Sequence, residues 1–161
     1  PAELWRAAAA RQLCRERSQV HGLAIDFTAD STLSSLESHK ALCLYRIVQE
    51  SLRNVVKHSG AKSATVALHA GEDDVVLKVT DSGAGFDASS VAGRGGLGLI
   101  SMRERLRLVN GTFTINSRPS SGTEIVVRVP LDRPMQRDGQ FACRSPAPNL
   151  VNARSNVEVP P

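Results

Sequence analysis

Residues 64–98 read ATVALHAGEDDVVLKVTDSGAGFDASSVAGRGGLG, and their reading decides the fold. Ala64, Val66 and Leu68 are spaced two apart, and Val75, Leu77 and Val79 repeat that spacing after Gly71-Glu72-Asp73-Asp74. A period of two marks a half-buried strand, and a turn-like link between two such runs predicts adjacent antiparallel strands. The second strand runs into Asp81-Ser-Gly-Ala-Gly85-Phe86. Beyond it, Gly93-Arg-Gly-Gly-Leu-Gly98 leads straight into a helical pattern.

Working upstream, Ser34 and Glu37 have capping-box spacing, which predicts a long helix from there to His58 with Gly60 as its stop. Residues 2 to about 20 are rich in Ala, Leu, Arg and Gln and predict another helix, ended by Gly22. Leu23, Ile25 and Phe27 alternate on a strand between the two. Downstream, a helix from about Leu97 carries Ile100, Arg103, Leu106 and Val109 and closes at Asn110-Gly111. Phe113 and Ile115 mark one further strand, Ile125, Val127 and Val129 another, with residues 118–122 turning between them. Short links between neighbouring strands and few helices predict an α+β fold. The architecture expected is a two-layer α/β sandwich with a mixed, mostly antiparallel sheet and its helices on one face. A doubly wound parallel sheet would need a helix between most strands.

The 161 residues suit one domain with a real core, at 41% hydrophobic content and a net charge of +4. Cys14, Cys43 and Cys143 show no CxxC spacing and leave an odd cysteine, so a disulfide scaffold or cysteine-rich zinc site is not expected. No apolar run approaches the roughly 20 residues of a membrane span, and no signal-peptide pattern opens the chain. Pro1 in place of Met suggests a piece of a longer protein. The arginines are dispersed and aromatic residues are only 4%, which argues against nucleic acid as a direct partner. Six of the 12 glycines lie between Gly83 and Gly98, and six of the 8 prolines from Pro130 onward. The first skew marks a loop with special backbone demands. The second predicts a disordered Pro-rich tail over 132–161 beyond a domain over 1–131.

Four constellations could carry chemistry. On the long helix, Ala41, Leu44, Tyr45, Val48, Leu52 and Val55 form an apolar stripe. Glu50, Asn54 and Lys57 cluster opposite it, with His58 at the edge. A polar face is ordinarily only solvated, yet this one mixes a carboxylate, an amide and an ammonium, a set able to hold Mg²⁺ or water and to neutralise phosphate. Asp81 at a strand end can accept a hydrogen bond from a ligand amino group, with Gly83 and Gly85 allowing close approach; alone, it equally reads as an Asx turn. Gly95, Gly96, Leu97 and Gly98 enter a helix whose N-terminal amides favour anions, although the loop lacks a P-loop signature. Ser121-Gly122-Thr123 opens the last strand and means little by itself.

Together the four are far more specific. The set, with LYRIVQESLRNVVKHSGAKSATV, DSGAGF and GGLGLISMRERLRLVNGTFTINSRPSSGTEIVVRVP in order, resembles the ATP-binding catalytic domain shared by sensor histidine kinases, DNA gyrase, MutL repair proteins and a heat-shock chaperone. Its wording is similar to the bacterial two-component kinases that signal to helix-turn-helix response regulators. The resemblance covers about residues 3–131 and implies the Bergerat ATP-binding fold, with ATP and Mg²⁺ as cofactors.

By that resemblance, Asn54 ligates Mg²⁺ and Glu50 beside it orients water or assists proton transfer. Lys57 and His58 meet phosphate oxygens. Asp81 accepts from the adenine amino group, with Gly83, Gly85 and Phe86 shaping the pocket. Residues 87–98 form a lid whose Gly95, Gly96, Leu97 and Gly98 serve the phosphates, and Thr123 completes the adenine side. The reaction implied is γ-phosphoryl transfer to a histidine on a separate dimerisation domain. A response regulator lies downstream, the full-length kinase is a homodimer, and the isolated domain is a monomer. The implied location is cytoplasmic, with or without an inner-membrane anchor in the parent protein. None of His21, His39, His58 or His69 has the sequence context of the accepting histidine, so this chain is expected to lack its own substrate. The alternatives within the superfamily are an anti-sigma-type serine kinase and an ATP-hydrolysing clamp; a non-catalytic nucleotide sensor is a third.

Overall fold

The computed structural model describes residues 2–30, 33, 36–88 and 96–131, with side chains from Ala7 onward. Its elements in chain order are helix α1 (Ala2–His21), strand β1 (Ala24–Ala29), helix α2 (Ser38–Asn54) continued by a π-helical turn (Val55–Ser59), strands β2 (Ser63–Ala70) and β3 (Asp74–Asp81), helix α3 (Leu97–Arg107), and strands β4 (Thr112–Ser117) and β5 (Thr123–Pro130). The strands form one five-stranded sheet in the order β1-β2-β3-β5-β4. β1 and β2 are parallel, joined across α2, and the other pairs are antiparallel. This is the mixed, mostly antiparallel α+β sheet that the strand spacing predicts.

Alternation along the central strands builds the core. Val75, Leu77 and Val79 on β3 and Ile125, Val127 and Val129 on β5 are buried on one face. Against them pack Leu44, Ile47, Val48 and Leu52 of α2, Met102 and Leu106 of α3, and Leu13 and Cys14 of α1. Each fully buried aliphatic side chain contributes roughly 1.5–3 kcal/mol, so this layer fixes which sheet face the helices cover. The opposite face carries Lys78 paired with Glu124, and Arg128 3.0 Å from Asp74.

Several local expectations shift. α2 begins at Ser38, with Glu37 at its N-cap and no side-chain capping bond; Ser34 lies outside the described residues. Leu33 and Leu36 are both buried in the core, with the Leu36 amide donating to Leu33 O at 3.2 Å, and Leu36 and Glu37 precede the helix rather than joining it. The buried stripe of α2 centres on Ile47 and Ser51, with Ala41 and Tyr45 only half-buried, because α1 and α3 flank the helix as well as the sheet below it. Gly60 closes the π turn at φ 60°. α3 ends at Arg107 rather than reaching Val109. There Asn110 takes φ 52°, and the Gly111 and Asn110 amides donate to Leu106 O and Arg107 O, a Schellman closure. The expected Pro-rich tail over 132–161 lies outside the described residues. Among the described residues, no helix is long and apolar enough to cross a membrane.

Candidate functional site

A cavity of about 650 Å³ opens between the C-terminal half of α2 and one end of the sheet. Glu50 and Asn54 enter it from α2, and Lys57 and His58 from the π turn. Asp81 lines it from the last position of β3, followed by Gly85 and Phe86. Gly96, Leu97 and Gly98 bring the start of α3 to its rim, and Thr123 the start of β5. Val79, Leu99, Ile115 and Ile125 supply an apolar wall. Of the residues singled out from sequence, Gly83 does not line the cavity, and Gly95 lies outside the described residues.

Gly83 acts from behind. A Cβ there would lie 2.3 Å from Ser59 O, and the neighbouring Ala84 amide donates to that same oxygen at 2.7 Å. The loop after β3 is thereby pressed against the π turn. The Gly83 amide also donates to Asp81 Oδ1 at 2.8 Å. Asp81 is only 8% exposed, yet Oδ2 has no hydrogen-bond partner among the described residues. A buried, unmet acceptor on a cavity wall calls for a donor from a ligand or from water.

At the helix end, Glu50 reaches the N-terminus of α3: a Cβ on Gly98 would lie 2.2 Å from Glu50 Oε1. Gly96 is the N-cap of α3 and offers no side-chain bond to the first turn; the Leu99 and Ile100 amides donate to Gly96 O, and the Leu97 and Gly98 amides precede the first intrahelical bond. Such amides, with the helix macrodipole, favour anions. Arg53, another lining residue, holds Glu50 Oε2 through Nη1 at 3.5 Å. The thiols of Cys14 and Cys43 do not line the cavity. Burial raises both above the ordinary thiol value, Cys14 to about 11, which disfavours their thiolate forms.

Three residues escape the sequence reading. Arg53 adds a cation to the face of Glu50 and Asn54. Ser59 is buried and ties the π turn to the following loop, with its hydroxyl donating to Val55 O at 2.9 Å and accepting from Ala61 N–H at 3.0 Å. Ser117, at the end of β4, bonds Phe86, Gly122 and Thr123 together. A signal for Ser117 was present: it continues the inward row Phe113, Ile115, 117, where a polar residue is out of pattern.

Among the described residues no cluster of three or more His, Cys, Asp or Glu could hold a metal. The donors at this cavity are instead the amide of Asn54 and the carboxylate of Glu50, a set that fits a Mg²⁺ ion completing its shell with phosphate oxygens and water.

Residues 39–133 match the model of the histidine kinase-, DNA gyrase B- and HSP90-like ATPases. The chain belongs to that family. In this ATPase-family domain the matched segment spans α2 to the end of β5, hence every described residue of the cavity. It is 33% identical over 144 residues to the sensor histidine kinase MctS of Rhizobium johnstonii, covering 87% of this chain and 31% of that protein. It is 31% identical over 124 residues to the oxygen sensor histidine kinase NreB of Staphylococcus carnosus, covering 77% of this chain and 36% of that one. The chain thus spans about a third of these relatives. The histidine kinase domain of the Erythrobacter litoralis EL346 blue-light activated histidine kinase superposes with a TM-score of 0.66 at 18% identity, covering 78% of this chain and 61% of that one. That likeness establishes the shared α+β fold.

Proposed function

We propose that this domain binds Mg-ATP in the cavity and donates the γ-phosphoryl group to a histidine on a separate dimerisation domain, as part of a two-component sensor kinase. The observation carrying the reading is the polarity of the cavity. An unmet buried carboxylate oxygen of Asp81 stands at the sheet end, while the other end holds cations, an amide and a helix N-terminus. A ligand with a hydrogen-bond donor at one end and phosphates at the other matches that order.

Asp81 accepts from the adenine amino group, beside Gly85, Phe86 and Thr123. Lys57, His58 and the amides at Gly96, Leu97 and Gly98 hold phosphate oxygens. Asn54, with Glu50 adjacent, holds Mg²⁺, which neutralises charge on the phosphates. Glu50 is also placed to orient the acceptor or take its proton. Transfer breaks the bond between the γ-phosphorus and the bridging oxygen and forms a phosphorus–nitrogen bond to the imidazole. The protein's contribution is positioning and electrostatic stabilisation. The kinase domain occupies residues 1–131 and works in the cytoplasm, and the phosphohistidine on the dimerisation domain passes its phosphoryl group to a response regulator downstream.

Titration of wild type and Asn54→Ala with ATP, with and without Mg²⁺, tests the reading. Wild type binds in a Mg²⁺-dependent way, and folded Asn54→Ala loses that dependence. Absence of Mg²⁺-dependent binding by wild type overturns the site. The isolated chain forms no phosphohistidine from labelled ATP, because its own histidines are not the acceptor.

A further inference from the structure

Helix α2 and its π turn run the length of the cavity, and close contacts pin both ends. At one end the Ala84 amide donates to Ser59 O at 2.7 Å, in the same loop whose Gly83 amide holds Asp81. About two helical turns back along the chain, Glu50 lies against Gly98 at the start of α3. His58, Lys57, Asn54 and Arg53 line the cavity between those two points, in that order from the Asp81 end. A nucleotide with its base at Asp81 lays its phosphates along this helix in chemical order. The last of them arrives at Arg53 and Glu50, beyond Lys57.

That end sets an electrostatic problem. Glu50 brings a carboxylate, and a terminal phosphate beside it is repelled unless a cation stands with the two. Arg53 is the lining cation on that turn. Its Nη1 lies 3.5 Å from Glu50 Oε2, and its side chain is 55% exposed. Among the described residues this is its one ion pair, a single long contact. A guanidinium carries five N–H donors in a planar fork that fits phosphate oxygens two at a time. A pair so exposed is weak and gives way at little cost. We infer that Arg53 reads the terminal phosphate: seated on Glu50, it takes γ-phosphate oxygens with the donors Glu50 leaves free, and so makes the site prefer a nucleoside triphosphate to a diphosphate. The inference rests on the nucleotide reading above and adds which residue tells the two nucleotides apart.

The test is calorimetric titration of the chain with Mg-ATP and with Mg-ADP. Wild type prefers ATP. Arg53→Ala loses about tenfold in ATP affinity, the lower end of what a charge-assisted hydrogen bond carries because the side chain is half-exposed, while ADP affinity stays within about twofold. A merely structural role weakens both nucleotides together, and an unchanged ratio in folded Arg53→Ala overturns the proposal. If circular dichroism shows that variant to be unfolded, Arg53→Gln decides by the same ratio, since it keeps much of the stem and a good helix former. A second arm separates direct contact from shielding of Glu50. In a Glu50→Gln background no carboxylate needs shielding, and Arg53→Ala still costs ATP several-fold relative to ADP; no change there overturns the proposal. Equal binding of ATP and ADP by wild type overturns it while leaving Mg-ATP binding standing. No binding of either nucleotide overturns both.

Discussion

The two ends of the β3–β5 strand pair use their polar groups in opposite ways. At the Asp74–Pro130 end several polar groups are met by partners from the protein itself. The buried Lys40 ammonium donates to Pro130 O at 2.8 Å, the Leu131 amide to Asp73 O at 2.8 Å, the Gly71 amide to Asp74 O at 2.7 Å, and Arg128 reaches Asp74. At the Asp81–Thr123 end the same two strands stop at a cavity, and Asp81 Oδ2 is left for something else. One end closes the fold. The other holds an acceptor in place at a small cost in stability, which a bound ligand would offset.

Four variants would break or sharpen that contrast. Gly122→Ala has the largest expected effect. Its φ is 73°, and a Cβ there would lie 2.1 Å from the carbonyl oxygen of Asp81, so the turn cannot keep its shape. A loss of about 3 kcal/mol or more in chemical denaturation is expected, together with loss of ATP binding. Wild-type stability would mean that the turn is not needed to hold the open end.

Next comes Asp81→Asn, with a roughly 10–100-fold loss of ATP affinity and little loss in melting temperature, because the side-chain oxygen still accepts from the Gly83 amide while the second acceptor is replaced by a donor. A variant that melted early yet bound ATP normally would place Asp81 on the closing side of the contrast. Lys40→Met is its mirror image. Stability falls by about 1–3 kcal/mol as a buried carbonyl loses its charged donor, while ATP affinity is unchanged.

The smallest effect belongs to the open sheet face. Hydrogen bonding by Lys78, then by Asn116, holds the Glu124 carboxyl below its ordinary value. The stability this contributes is fully present above the unfolded-state value near 4.5 and is lost as pH falls through the lower folded-state value. Glu124→Gln should flatten the acid limb of a pH–stability profile by well under 1 kcal/mol, since the pair is partly solvated. ATP affinity should not change.

Much of the cavity lining was legible because cavity-facing residues repeat at helical spacing or sit where a strand pattern stops. Glu50, Asn54 and Lys57 were found by their spacing on α2, and Asp81 by its place at the end of an alternating run. Ser34 with Glu37 misled, since a local capping pattern lost to the burial of Leu33 and Leu36. Ser59 and Lys40 look like ordinary polar surface in sequence; only the loop after β3 and the end of β5 give them partners.

By itself, then, the sequence determined the elements and most of the polar residues that line the cavity, because hydrophobic period and glycine placement act over a few neighbours along the chain. The tertiary structure alone decided the strand order, the π turn that carries Lys57 and His58 to the cavity, and the hydrogen bonds that join Ser117 to Phe86, Gly122 and Thr123. Those depend on which distant carbonyl or amide arrives within 3 Å, and no local pattern encodes that meeting.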